Sequence, residues 1–190
     1  TGLDKSLPHI MVIMDKRDTA EYVRFPLADG YSFAMYTPQR RADWCELHYS
    51  VGHFDSTEDA DACFEREFMS QPELLPQRMV FVLAPDGTAA ATASFWPGSD
   101  FGEGGERVHW VAVSPNHQNK GLSKALITKV LDLYNEQGYR DYIYLITQTW
   151  SYKAIGVYAA HGFKPYLDIR PSGWKMEGAE NDARSEEHTS

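Results

Sequence analysis

The chain lacks any apolar run close to the roughly 20 residues that cross a bilayer as a helix, and no charged region followed by a short apolar core and cleavage site opens it. Both absences argue against a membrane partner and lead us to expect a soluble, cytoplasmic protein. Cysteine is scarce: only Cys45 and Cys63 are present. They lack metal-ligand spacing and fall in stretches that read as helix, so reduced thiols are expected rather than a disulfide, and no metal site is expected. Positive charge is short as well, with 18 Lys and Arg against 27 Asp and Glu, a net of −9. A nucleic-acid partner requires a basic footprint and is not expected. An acidic field does suit a cationic amine.

What the chain does have is apolar and aromatic residues, 43% and 13% of its 190 positions, enough to bury one sizeable core. Residues 1–30 read as an N-terminal arm with one short apolar run, His9 to Met14. Tyr31 to Tyr36 alternates as a first core strand. After Thr37-Pro38, residues Arg40 to Val51 have helical spacing, and Ser56-Thr57-Glu58-Asp59 opens a second helix that reaches about Met69. Arg78 to Ala84 and Thr88 to Phe95 read as strands around an Asp86-Gly87 turn. The glycine-rich stretch Phe101 to Glu106 precedes a strand rather than a helix, so it is no nucleotide loop. Residues 31–175 make up the main domain, and 176–190 read as a disordered tail or expression scar.

The most informative stretch is 109 to 123, His-Trp-Val-Ala-Val-Ser-Pro-Asn-His-Gln-Asn-Lys-Gly-Leu-Ser. A β-branched strand, Val108 to Val113, runs into a small polar loop and then into an amphipathic helix, Gly121 to about Gln137. The loop amides and the first free amides of that helix make an anion cradle suited to a phosphate. A second strand, Tyr142 to Thr147, follows. A right-handed crossover makes it parallel to the first. Downstream, Ser151 to Ala160 reads as a helix capped by Ser151 and ended by Gly162 in left-handed geometry, with Phe163 as the hydrophobic residue that follows.

Gln118-Asn119-Lys120-Gly121-Leu122-Ser123 resembles the Gln/Arg-x-x-Gly-x-Gly/Ala motif of the GNAT superfamily of acyl-CoA-dependent N-acetyltransferases, with Ser123 in place of Gly or Ala. Ser151, Ala154, Tyr158, Gly162 and Phe163 fall in order on that superfamily's second motif, with Ser151 in place of Asn. Across residues 31 to 166 the chain is similar to a bacterial branch of the superfamily. The resemblance implies an α+β fold, with a mixed, mostly antiparallel central sheet, a central βαβ unit and helices on both faces. It implies acetyl-CoA as acyl donor, a small-molecule primary amine as acceptor, and direct attack in a ternary complex. It also admits a homodimer. Val111, Val113, Ser151 and Ala154 would flank the pantetheine arm, and Gln118, Asn119, Lys120, Gly121, Leu122 and Ser123 would hold the pyrophosphate.

Acyl transfer to an amine needs a group that accepts the amine's proton and one that protonates the departing thiolate. Tyr158 matches the superfamily tyrosine that acts as general acid, and its phenol, with an ordinary pKa near 10, stays protonated at neutral pH. Strand alternation puts Arg107, His109, Val111 and Val113 on one face. His109 resembles a histidine of the arylalkylamine branch that helps remove the amine proton, whereas Arg107 stands where histone-type members carry glutamate. Glu106 and Glu103 are reserve bases, because a bulge would change which face each side chain occupies. Trp44, His48 and Trp96, with Tyr49 and Phe54, are candidates for an aromatic acceptor pocket, against the commoner role of such residues as core. Two classes of function fit these residues: an N-acetyltransferase, and a non-catalytic acyl-CoA-binding sensor or interaction module.

Overall fold

Seven strands form one mixed sheet in the order β2-β3-β4-β5-β6-β1-β7 in a computed structural model that describes residue 6 and residues 8–100, 105–140 and 142–166. The strands are β1 (Met11–Lys16), β2 (Ser32–Met35), β3 (Met79–Leu83), β4 (Ala89–Gly98), β5 (Gly105–Val113), β6 (Ile143–Gln148) and β7 (Lys164–Pro165). Only β5 and β6 are parallel; the other neighbours are antiparallel. The helices are α1 (Arg41–Ser50), α2 (Thr57–Phe68), the short α3 (Leu75–Arg78), α4 (Leu122–Glu136) and α5 (Tyr152–Ala160). This is the expected α+β arrangement.

The run Met79-Val80-Phe81-Val82 is buried on both sides because β3 lies inside the sheet. Val80 and Val82 join a largely aliphatic core under α4 and α5, while Met79 and Phe81 join a largely aromatic core under α1 and α2. The β3–β4 hairpin closes where expected: Gly87 has φ 86, and the Thr88 amide and hydroxyl both donate to Asp86 Oδ1. Helix α2 starts on Ser56, whose side chain accepts the Asp59 amide at 3.1 Å.

Several expectations need correction. The apolar run read as part of an arm is an inner strand of the sheet: β1 lies between β6 and β7 and pairs with β6 along its whole length, from Met11–Gln148 to Lys16–Ile143. The expected first core strand is instead the edge strand β2, with Ser32 and Phe33 exposed. Ser151 makes no side-chain cap; it ends a 3-10 turn, Thr149–Ser151, that leads into α5. The other end of α5 is as expected: Gly162 at φ 89 donates to Ala159 and Phe163 to Tyr158, the paired bonds of a Schellman stop. Strand β5 begins at Gly105, inside the stretch read as loop; residues 101–104, the rest of the expected domain from 167 to 175, and the tail 176–190 lie outside the described residues.

The largest correction concerns β5. Its register with β4 shifts between Thr92–Ala112 and Ser94–His109, and Trp110 sits there at φ 54. That is a bulge, which reverses the alternation beyond it. Val108, Val111 and Val113 face the aliphatic core, whereas Trp110 and Ala112 face the aromatic one and His109 packs on Phe68 of that core. His109 therefore lies on the opposite face from Val111 and Val113.

Candidate active site

Pairing of β5 with β6 is confined to Glu106–Ile143 and Arg107–Tyr144. Past those residues the two strands part around a cavity of about 430 Å³, walled by β5 from Arg107 to Val113 and by β6 from Leu145 to Gln148. The bulge at Trp110 bends β5 where this happens, and a left-handed tryptophan is a strained residue held by its surroundings. Trp110 stacks on Phe54 at 5.4 Å and meets Trp44 edge-on at 5.7 Å. The gap passes through the sheet. Ser123, Ala154 and Tyr158 close one side, and Val51 and His53 close the other.

On the first side, the loop leading to α4 is organised as an anion cradle. Gln118 turns back so that its Nε2 donates to the Val113 carbonyl at 2.9 Å, which anchors the loop to the end of β5. Asn119 at φ 61 and Gly121 at φ 71 place left-handed residues just before the helix. No side chain caps α4, and its first helical bond runs from the Ala125 amide to the Gly121 carbonyl. The amides of Leu122, Ser123 and Lys124 are thus left to face a ligand. A Cβ at Gly121 would meet nothing within 4 Å, so the turn itself is open on that side, and Ser123 borders the cavity. The chemistry and room suit a pyrophosphate. Leu122 contributes through its backbone only, since its side chain is core.

Tyr158 is buried and lines the cavity near Ser123 and Ala154. Burial pushes its phenol well above the ordinary 10, so it is a protonated donor throughout the neutral range. Val111 and Val113 line the same cavity from β5, and Ser151 lines it as well.

On the second side, His109 lines the cavity and its Nε2 lies 3.1 Å from Glu67 Oε2 of α2. A carboxylate only accepts, so Nε2 carries the hydrogen and Nδ1 keeps a lone pair free for a proton. Burial pushes the imidazole down to about 4, against the opposite pull of Glu67, whose own carboxyl is held low first by the bond to His109. At neutral pH the pair is a neutral imidazole on an ionised carboxylate. Nothing in the local sequence announced Glu67; it comes from a helix 42 residues upstream.

The acceptor candidates separate. Trp44 and Trp96 are core residues that do not reach the cavity, and Trp44 is completely buried, as aromatic residues at helical spacing commonly are. His48 is also completely buried, but its Nδ1 lies 2.8 Å from Nδ1 of His53, which does line the cavity. His53 and Trp110 are the aromatic groups on this wall that sequence reasoning missed. Trp110 Nε1 is sealed from solvent without a partner among the described residues. Glu106, a reserve base, is buried on the aliphatic side and accepts from Arg78 Nη1 at 2.9 Å; Glu103 lies outside the described residues.

The sheet is thus parted at its one parallel pair among the described residues, with a turn of unpaired main-chain amides on one side and a buried imidazole–carboxylate pair on the other. The acetyltransferase (GNAT) family profile matches residues 37–163, and the chain belongs to that family. It is 36% identical over 69 residues to N-acetyltransferase 8B of Rattus norvegicus, a match covering 36% of this chain and 31% of that protein. Among solved structures, a GCN5-related N-acetyltransferase from Sphaerobacter thermophilus superposes with TM-score 0.65 at 18% identity, over 87% of this chain and 53% of that one. A tandem GNAT protein from the clavulanic acid biosynthesis pathway superposes with TM-score 0.59 at 14% identity, over 86% and 52%. The chain thus spans about a third of the curated relative and about half of these structures.

Proposed function

We propose that the protein is an N-acetyltransferase that moves an acetyl group from acetyl-CoA to a primary amine of a small molecule, by direct attack in a ternary complex. The observation that carries this reading is the cavity itself, which joins Tyr158 and, at Ser123, the edge of the amide turn on one side of the sheet to a carboxylate-backed imidazole on the other. Its volume of about 430 Å³ falls in the range of small-molecule sites.

Each residue has a role on this reading. Acetyl-CoA supplies the activated thioester. The amides of Leu122, Ser123 and Lys124 hold its pyrophosphate, with Asn119, Lys120 and Gly121 shaping the turn and Gln118 bracing it. Main-chain groups of Val111 and Val113, with Ser151 and Ala154 opposite, flank the pantetheine arm. Nδ1 of His109 takes the amine proton, and Glu67 stabilises the imidazolium that forms. Tyr158 delivers its phenolic proton to the thiolate. His53 and Trp110 shape the acceptor end, and ionised Glu67 favours a cationic amine there.

A second reading, a non-catalytic acyl-CoA-binding module, would use the cradle alone. The His109–Glu67 pair favours the enzyme, because keeping an ionised carboxylate half-buried against a neutral imidazole has a use in proton transfer and none in binding a coenzyme. A panel of small primary amines, assayed for release of free CoA thiol, tests the choice. Turnover on at least one amine is expected; coenzyme binding with no turnover on any of them would support the sensor. Tyr158→Phe should lower kcat about 10²-fold with coenzyme affinity unchanged, and unchanged turnover would remove the tyrosine from the mechanism.

A further inference from the structure

Arg107, Asp100 and Tyr144 have no part in the roles above, yet the fold joins them closely. Arg107 stands directly across from Tyr144 in the last paired step of β5 and β6. The Tyr144 hydroxyl donates to Asp100 Oδ2 at 2.5 Å, and the same carboxylate oxygen meets Arg107 Nη1 at 3.3 Å. The other end of the guanidinium reaches the base: Nη2 lies 3.5 Å from His109 Nε2 and 3.8 Å from Glu67 Oε2. A fourth residue makes the arrangement possible. A Cβ on Gly98 would stand 1.9 Å from the Tyr144 hydroxyl and 3.1 Å from Arg107 Cδ, so only glycine leaves room for the tyrosine to reach Asp100.

We propose that Tyr144, Asp100 and Arg107 are positioning residues for the base, holding a guanidinium beside His109 and Glu67 so that the imidazole rests neutral and the carboxylate ionised. The catalytic consequence rests on the N-acetyltransferase reading; the electrostatic one does not. The groups facing His109 are Glu67 from α2, Arg107 from β5, Asp100 from the segment after β4, and His48 from α1 with His53 behind it. Arg107 opposes a proton on His109, whereas Glu67 and Asp100 favour one. Both outer histidines are held neutral by burial, so the guanidinium is the positive charge among them. Tyr144 completes the device by fixing Asp100, which in turn keeps Arg107 from swinging into the cavity.

The test is an NMR titration of the His109 ring in the full chain without ligand, with the resonance assigned by its loss in His109→Gln. Arg107→Gln should raise the midpoint by about one pH unit; Asp100→Asn should lower it, because the amide oxygen still accepts from Tyr144 and Arg107 and keeps the guanidinium in place while the negative charge is lost. Arg107→Lys should stay near the parent. Gly98→Ala, which pushes the Tyr144 hydroxyl off Asp100, should give a smaller upward shift. Arg107 is mostly buried and Gly98→Ala displaces a buried tyrosine, so the nearly isosteric Asp100→Asn protein guards against loss of the fold. Unchanged midpoints in folded Asp100→Asn and Gly98→Ala proteins would overturn the proposal, as would Arg107→Lys behaving like Arg107→Gln. Failure of the amine panel would leave every one of these midpoints where it is, so the two readings fail separately.

Discussion

On the α4–α5 side of the sheet the core is mostly aliphatic, built on Leu126, Ile127, Val130 and Leu131, and the groups proposed to face the ligand are largely main-chain amides around Gly121. On the α1–α2 side the core is mostly aromatic, built on Trp44, Phe64, Phe68 and Trp96, and the facing groups are the side chains of His53, His109 and Trp110. A main-chain cradle needs a backbone path and open space, and a few consecutive residues supply both. A side-chain site needs partners brought from distant segments and held by packing. On the proposed function, the first half would serve any bearer of the same anionic group, whereas the second would decide proton transfer and acceptor shape.

If this division is right, the largest effect comes from the side-chain half. His109→Gln should lower kcat/KM by about 10²- to 10⁴-fold while leaving CoA affinity unchanged in a calorimetric titration. A comparable fall in coenzyme affinity would break the separation of the two halves.

Acid should also act mainly on that half. Burial holds His48, His53, His109 and His161 below their ordinary 6.5, and three of these four belong to the α1–α2 side. The unfolded chain takes up protons near 6.5 that the folded chain refuses, so the contribution to stability is complete above that pH and is lost as pH falls toward 4. Each group that differs fully in protonation adds a slope of about 1.4 kcal/mol per pH unit. Urea unfolding at pH 7 and pH 5 should therefore show a clear loss of stability, reduced in His53→Gln. Equal midpoints at the two pH values would mean that these histidines are no less accessible to protons than in the unfolded chain.

The same division explains what could be read in advance. Gln118 to Ser123 and Ala154 to Phe163 were legible because each builds its structure locally: a left-handed turn, a free helix end, a Schellman stop. The mixed sheet was implied by the family resemblance, and within it the parallel pair followed from the strand–helix–strand crossover. Glu67 was not legible, because its role depends on α2 packing over β5, and helical spacing shows only that Phe64 and Phe68 point inward. The face of His109 was misread because alternation assumes a regular strand, and the bulge at Trp110 leaves no signature in a run of apolar residues. Trp44 and Trp96 were candidates by residue type alone; packing made them core.

A smaller effect should come from the cradle. Gly121 at φ 71 has nothing within 4 Å of a built Cβ, so Gly121→Ala causes no clash within the protein and isolates the cost of the backbone conformation. That cost is about 1–2 kcal/mol, and where it is met by leaving the left-handed turn, CoA affinity should fall about tenfold. Calorimetry with CoA reads this directly. Full affinity would show that the cradle amides do not depend on this residue's geometry.

The smallest effect asks how firmly the side-chain half is held. Ser56 caps α2 with a single bond to the Asp59 amide, at the opposite end of the helix from Glu67. Ser56→Ala should cost about 1 kcal/mol in urea unfolding. Turnover should not change, because Phe64 and Phe68 are completely buried beside Glu67 and fix the far end of α2 by packing. A drop in kcat larger than the lost stability accounts for would mean that α2 moves as a rigid rod when its first turn loosens. The carboxylate behind His109 would then depend on the cap as well as on the aromatic core.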